Sequence, residues 1–303
     1  MGIESLLLTT LRMSIPLVIA AMGGIFATRS GMMAMGLESM MLFGAFGAVW
    51  GSYLTGNVFL GFLTGVLFGM VFGLTYAVLT IRFRVNQVIG GIALNLFTVA
   101  CTTVLMQFVW GNAGNSPAVN SLEGSVNIGI LAEIPVIGPV LSGMSINFYI
   151  AILLIAATTF VMFHTCFGLR LRMIGENPTA ASTLGIKVRG YKYLAMLICG
   201  ALAGFAGAYL SIDQLNMFSK DMIAGKGYIV VVMLALGKYN PVGAALAALL
   251  FGFSDALQIN LQQMFSVPAQ LVQMLPYIVT ILVITFAVRH VKGPAGTGKL
   301  PEE

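Results

Sequence analysis

The stretch CFGLRLRMIGENPTAASTLGIKVRGYKY, residues 166–193, carries five of the fifteen Lys and Arg residues and is the one long polar interruption in the apolar second half of the chain. At its centre IGENPTAASTLGI is punctuated as a short helix. Asn177 suits the N-cap, because its side chain can accept a bond from an orphan N–H of the first turn. Pro178 fits the first helical position and Gly185 the stop. Between them Thr179 to Leu184 make under two turns, about 10 Å at 1.5 Å per residue, and Ala180, Ala181 and Leu184 give that helix a small apolar face. Such a piece is too short to be stable alone. It makes sense either as a knob gripped by a partner protein or as an ordinary loop that closes a helix bundle.

The surroundings of this stretch define the class. Hydrophobic residues make up 58% of the 303 and charged ones 8%, against about 25% charged in soluble domains. Runs of about twenty apolar residues recur, as a bilayer-spanning helix requires. The expected fold is therefore an all-α polytopic membrane protein, one transmembrane domain over residues 1–303. Nine hydrophobic segments are expected, near 11–28, 34–53, 57–80, 86–109, 147–166, 193–211, 222–237, 241–262 and 268–289. The second is interrupted by Glu38 and glycines, and the seventh is short and starts around Lys226. Both are candidates for broken or re-entrant helices, which membranes tolerate only where protein or a water-filled cavity covers the backbone.

Orientation follows from the basic residues. With 167–192 in the cytoplasm and the spans alternating, the inside holds Arg29, Arg82, Arg84, Arg170, Arg172, Lys187, Arg189, Lys192, Lys238, Arg289, Lys292 and Lys299. The outside holds only Arg12, Lys220 and Lys226. The N-terminus is expected outside, the tail 290–303 inside, and the base-free loop 110–146 outside. The net charge of +5 is thus a matter of topology and not a nucleic-acid signal. Cys101, Cys166 and Cys199 sit in or beside apolar runs as small hydrophobes and form no disulfide framework. No cleavable signal peptide is expected at the start, where Glu4 stands in place of a basic leader.

Gly61, Gly65, Gly69 and Gly73 leave one face of the third span bare, so that a neighbouring helix can approach closely. Gly200, Gly204 and Ala208 repeat the device in the sixth span, and Ala244, Ala248 and Gly252 in the eighth. A Gly- and Ala-rich span followed by a polar-headed one recurs at 57–109 and 241–289 with opposite direction, which is the pattern of an inverted repeat.

Polar residues inside the spans are few. Asn95, Thr98 and Thr102 share a face of the fourth span; Asp255, Gln258 and Gln262 share one of the eighth. Gln87 opens the fourth span and Gln273 the ninth. Amides and hydroxyls along a pathway suit a neutral polar solute, although interhelical hydrogen bonding explains any single one equally well. Glu38 and Asp255 are the intramembrane carboxylates, with no basic residue in their own spans to complete a proton relay. The tail GPAGTGKL, 293–300, approaches a phosphate-binding loop but has Leu300 in place of the metal-binding hydroxyl, no preceding strand and no following helix. His164 and His290 are far apart and make no metal cluster, and no catalytic motif is present. An ion-coupled secondary transporter is the alternative transport class.

Four stretches carry a resemblance. RSGMMAMGLESMMLFGAF (29–46), GENPTAASTLGI (175–186), AGKGYIVV (224–231) and LGKYNPVGAALAALLFGFSDALQ (236–258) resemble the membrane-spanning permease subunits of bacterial ATP-binding-cassette (ABC) importers of the ribose and branched-chain amino acid class. Within that class the chain is most similar to nucleoside permeases, with simple-sugar (ribose or galactose) permeases next. It departs from the family pattern at Ala34 and Ser39, where Asn and Gly are usual. The resemblance implies that Gly175, Glu176, Asn177, Pro178, Ala180, Ala181, Leu184 and Gly185 form the coupling helix, seated in a separate ABC ATP-binding subunit. This chain would hold no cofactor, and ATP would be hydrolysed by that partner. The resemblance further implies a second, non-identical permease subunit and an extracytoplasmic substrate-binding lipoprotein. That lipoprotein would meet the outer loops 110–146 and 212–226. Glu38, Gln87, Asn95, Thr98, Asp255 and Gln258 are the candidate pathway residues, in the plasma membrane of a bacterial cell.

Overall fold

A computed structural model describes residues 3–121, 144–264, 272, 274–287 and 293–298. Apolar runs in a bilayer must satisfy their backbone groups internally, and all nine segments carry helix. The elements are α1 (Ile3–Arg29), α2 (Leu37–Thr55), α3 (Val58–Ala77), α4 (Gln87–Trp110), α5 (Ile146–His164), α6 (Cys166–Glu176), α7 (Pro178–Thr183), α8 (Val188–Ala208), α9 (Lys226–Leu236), α10 (Pro241–Met264) and α11 (Leu275–Ala287). Wider π-turns extend α3 to Arg82 and α8 to Gln214. Among the described residues, six helices are long and apolar enough to cross a membrane by themselves: α1, α3, α4, α5, α8 and α10. The protein is a multi-pass membrane protein, and one isolated bridge, Asn115 to Ser219, is its sole β-type pairing among the described residues.

The glycine stripes do what their spacing predicts. A Cβ on Gly69 would strike the backbone of Gly200 and Gly204, and one on Gly73 that of Met196 and Gly200. Gly44 of α2 meets Gly204 in the same way. Helices α2, α3 and α8 therefore touch backbone to backbone. Gly252 of α10 lies against Thr10 and Ser14 of α1. The opposite faces of α3 and α4 expose Leu63, Leu67, Val71 and Leu96, Phe97, Val104, Phe108, an apolar exterior of the kind that lipid covers.

Helix pairing has the symmetry that an inverted repeat requires, over a wider range than the expected 57–109 and 241–289. Taking α1–α4 as one unit and α8–α11 as the other, the main contacts come in mirrored pairs. α3 packs on α8 and α10 on α1; α2 packs on α8 and α9 on α1; α2 packs on α3 and α4 as α9 does on α10 and α11. Each unit thus contains one long helix, a non-helical break, and then a helix (α2 or α9) that starts inside the protein.

Two ends follow from the hydrogen bonds. At one, Arg29 Nε donates to the Tyr239 carbonyl (2.8 Å), and Gly296 N and Gly298 N donate to the carbonyls of Gly175 (2.8 Å) and Gly31 (3.0 Å). At the other, Ser116 N donates to Phe218 O and Val119 N to Asn216 O (both 2.8 Å), and Gln214 Nε2 donates to Arg12 O (3.0 Å). The basic residues Arg29 and Lys238 therefore share one end, and Arg12 and Lys220 the other, as the alternating reading requires.

Lys226 does not lie where expected. It opens α9, whose eleven residues reach about 16 Å to Gly237 beside the Arg29 end. Lys226 therefore stands about 16 Å from that end, about half of the roughly 30 Å that a hydrocarbon core measures. The chain dips inward over 221–225 instead of ending in an outer loop, so 212–226 is not wholly an outer segment. The polar stretch 167–192 is likewise less of a loop than expected. It holds α6, α7 and the first turn of α8, in which Lys192 is fully buried. Within 110–146, residues 122–143 lie outside the described residues, as do Gln273, Arg289, His290, Lys292 and 299–303.

Candidate functional site

Helix α7 is built as its sequence suggests, one residue earlier. Asn177 caps it, Oδ1 accepting from Ala180 N at 3.1 Å and from the Thr179 hydroxyl at 2.6 Å. Pro178 is the first helical residue, and Gly185 ends it at φ +76°, a left-handed conformation suited to glycine. The apolar face divides. Ala181 is buried with Ile174 and Val188 in a small cluster at the base of the knob. Ala180 and Leu184, four residues apart and so on one side, point outward, with Leu184 72% exposed. Ala181 sits about 100° round the helix from Ala180, since one turn takes 3.6 residues. For that reason the three residues form no single face.

The tail supplies a contact that the sequence did not suggest. Besides its bonds to Gly175 and Gly31, Ala295 N donates to the Glu176 carboxylate at 3.3 Å. Gly296 is buried where a Cβ would meet Gly175 O and Pro178 Cδ. Residues 293–298 therefore run as a strap between the end of α1 and the root of α7.

The candidate pathway residues separate into two groups around the first turn of α9. In the first, Glu38 sits in the first turn of α2, and its carboxylate accepts from Gly225 N (2.8 Å) and Gly227 N (2.7 Å). A carboxylate at a helix N-terminus satisfies orphan donors and complements the helix dipole. Asn95 bridges three elements: Oδ1 accepts from Ser39 N (3.0 Å), and Nδ2 donates to Met35 O (3.1 Å) and to the Tyr228 hydroxyl (2.6 Å). Gln87 Oε1 accepts from Met33 N at 2.6 Å, and the Tyr76 hydroxyl donates to Met33 O at 2.9 Å. These side chains absorb the backbone groups that the break at 30–36 leaves without helical partners. Thr98 is buried, and its hydroxyl donates to Leu94 O (2.7 Å) within its own helix.

In the second group, Asp255 and Gln258 line a half-open cavity of about 350 Å³ with Lys226, Tyr277 and Met13. Lys226 Nζ is 3.7 Å from Asp255 Oδ2. Asp255 thus has the basic neighbour that its own span lacks. The hub of the molecule is Gly225–Lys226–Gly227–Tyr228, which meets Glu38 and Asn95 on one side and Asp255 on the other. Two glycines flanking a lysine at the head of an apolar run are the sequence signal that could have located it.

Residues 6–284 match the family model described as branched-chain amino acid transport system / permease component. The chain belongs to this family. The permease is 35% identical to the nucleoside ABC transporter permease NupC of Lactococcus lactis subsp. cremoris, over 94% of its own length and 92% of that protein. It is also 35% identical to the guanosine ABC transporter permease NupQ of Bacillus subtilis, over 95% and 93%. Among solved structures, the fold is similar to an inward-facing ABC transporter assigned to the metal-chelate type, with a TM-score of 0.51 and 15% identity over 93% of the permease and 85% of that chain.

The stretches that carry the resemblance now have a physical reason. In the permease, a Cβ on Gly227 would collide with the backbone of Glu38, and Gly225 stands at φ +83°. The AGKGY stretch can therefore only dock on the first turn of α2 with glycines at those places. Ser39, one of the departures, donates its N–H to Asn95 and its hydroxyl to Gly36 O (2.7 Å). Glu38→Ala orphans the buried Gly227 N–H and the part-buried Gly225 N–H, at about 1–3 kcal/mol for a buried group. We expect thermal unfolding of the purified permease to show a loss of about 2–5 kcal/mol, with Glu38→Gln, whose amide oxygen still accepts one bond, recovering part of it.

Proposed function

We propose that this chain is the membrane-spanning subunit of an ABC importer whose cargo is a nucleoside, with α7 as the lever by which a separate ATP-binding subunit drives it. The observation that carries the lever is the construction of α7: a helix too short to stand alone, rooted by buried Ala181 and Pro178, with Ala180, Ser182, Thr183 and Leu184 exposed. A knob with a fixed base and a free tip can transmit force. Closure of the ATPase would tilt α7, and the change would pass through its root to the ends of α1 and α10. The pathway would then alternate between two states, a bistable arrangement biased by a ligand. The names of the two 35%-identical relatives support nucleosides as cargo.

The topology we propose has nine spans, the N-terminus outside, and the α7 end in the cytoplasm. The far end, where 114–119 pairs with 216–220, would receive solute from an extracytoplasmic binding lipoprotein. A second, non-identical permease subunit would complete the pathway. Uptake of a radiolabelled nucleoside by a strain lacking the transporter, restored with the complete complex, tests the cargo. Competition by unlabelled nucleosides and none by ribose is expected. Competition by ribose or galactose alone would make the cargo a simple sugar.

The strap 293–298 makes a second prediction. Removing residues 293–303 frees Gly175, Gly31 and Glu176 from three bonds worth about 0.5–1.5 kcal/mol each. The truncated permease should remain folded and assembled while transport per ATP hydrolysed falls severalfold. Unchanged coupling in reconstituted vesicles would show the strap to be passive.

A further inference from the structure

The second polar group has features that a structural ion pair does not need. Charged side chains deep in a bilayer face water-filled cavities or partners and are functional suspects. Lys226 and Asp255 do both, with their side chains 23% and 17% exposed to the cavity at the head of α9. A closed charge-assisted bond measures about 2.7–2.9 Å, whereas this pair stands at 3.7 Å. Among the described residues the Asp255 carboxylate has no partner other than Lys226, so most of its acceptor capacity is left for a ligand. Gln258, one turn on, lines the same space and can both donate and accept. Met13, Ile229, Ile259 and Tyr277 supply apolar surface to the same lining. The volume of about 350 Å³ falls within the usual range of small-ligand pockets, about 300–1,000 Å³.

We propose that this cavity is a solute subsite in which Asp255 and Lys226 receive the vicinal hydroxyl pair of a ribose ring. The inference rests on the nucleoside reading and names the part of the solute that is recognised. A carboxylate accepts two parallel bonds from adjacent hydroxyls, and the ammonium donates to one of their oxygens. The two charges cancel, so the site attracts a neutral polar solute without favouring an ion. Gln258 meets a further polar edge, and the flat base lies on the Tyr277 and Met13 side, where an aromatic ring stacks or packs. The cavity is lined mainly by α9, α10 and α11 of one repeat, with Met13 of α1 from the other, so it lies beside the contact of the two repeats, where alternating-access transporters hold their cargo.

Saturation-transfer NMR on the purified complete transporter without its binding protein tests this, with inosine and 2′,3′-dideoxyinosine as probes. Inosine should bind the wild type more tightly than the dideoxy compound. In Asp255→Asn, inosine affinity should fall at least tenfold while the dideoxy compound changes less than twofold. Asp255→Glu keeps the carboxylate and should retain a preference, which covers failure of Asp255→Asn to fold. Equal loss of both probes assigns the pair to structure alone. Unchanged inosine affinity in Asp255→Asn, or no inosine binding to a wild type active in nucleoside uptake, also overturns the subsite. If the wild type takes up sugars and no nucleoside, the nucleoside reading fails separately. The same comparison with ribose and 2-deoxyribose then judges the subsite.

Discussion

Deleting residues 177–184, or replacing Glu176 by Lys, abolishes ATP-driven uptake while leaving the permease folded in the membrane. The deletion removes the exposed tip of the lever, Ala180 and Leu184, and its cap, Asn177. An interface anchor of this kind is worth about 2–4 kcal/mol, so losing it alone lowers partner affinity or drive by about 30- to 700-fold at 1.4 kcal/mol per decade. Glu176→Lys reverses a charge at the root of the knob and removes the acceptor of Ala295 N. Neither change touches the glycine-packed core of α2, α3 and α8. Only three buried residues, Ile174, Ala181 and Val188, form the cluster under α7, so the fold should survive. Uptake in vesicles and size-exclusion profiles of the purified complex measure the two outcomes separately. Loss of the folded peak together with uptake would place α7 in the structural core instead.

Gly204→Val is expected to remove folded protein almost entirely. A Cβ on Gly204 meets the Gly65 carbonyl and the Cα and N of Gly69, the latter two at 3.0 and 3.2 Å. These are backbone atoms of a helix that is itself held by Gly200 and Met196, so no side chain can rotate away. Overpacking costs about 1–3 kcal/mol where neighbours can adjust and more where they cannot. We expect a loss of at least about 3 kcal/mol, read as collapse of the monodisperse peak in detergent. Gly190→Ala is the control. It lies in the first turn of α8 with nothing closer than Lys187 Cβ at 3.9 Å. Alanine there should be neutral or stabilising by up to about 1 kcal/mol.

The parts of this architecture that could be read from sequence are those that local chemistry dictates. Apolar runs set the helices, because lipid leaves the backbone no other way to satisfy its polar groups. The spacing of Gly61, Gly65, Gly69 and Gly73 announced close packing, and α8 fills that stripe. Asn177, Pro178 and Gly185 bracketed α7 within one residue. What could not be read depends on contacts distant in sequence. The sequence sets Lys226 at the outer edge of a short span, and only the docking of 225–227 on Glu38 carries it inward. The strap 293–298 was legible only as a poor phosphate motif, since its partners, Gly31 and Gly175, lie far back along the chain. Glu38 and Asn95 drew attention as polar residues in lipid, and the geometry shows what occupies them: the open backbone of two broken helices. Asp255 lacked a partner in its own span because that partner comes from the other side of a break.

The account stands on the dependence of transport on an outside source of force. The direct measurement is accumulation of labelled nucleoside in proteoliposomes, made with this permease alone and with its ATP-binding subunit, second permease and binding protein. Accumulation should occur only in the complete system with ATP inside the hydrolysing compartment, and should stop with vanadate. Accumulation against a gradient by the permease alone, driven by an ion gradient and indifferent to vanadate, would contradict it.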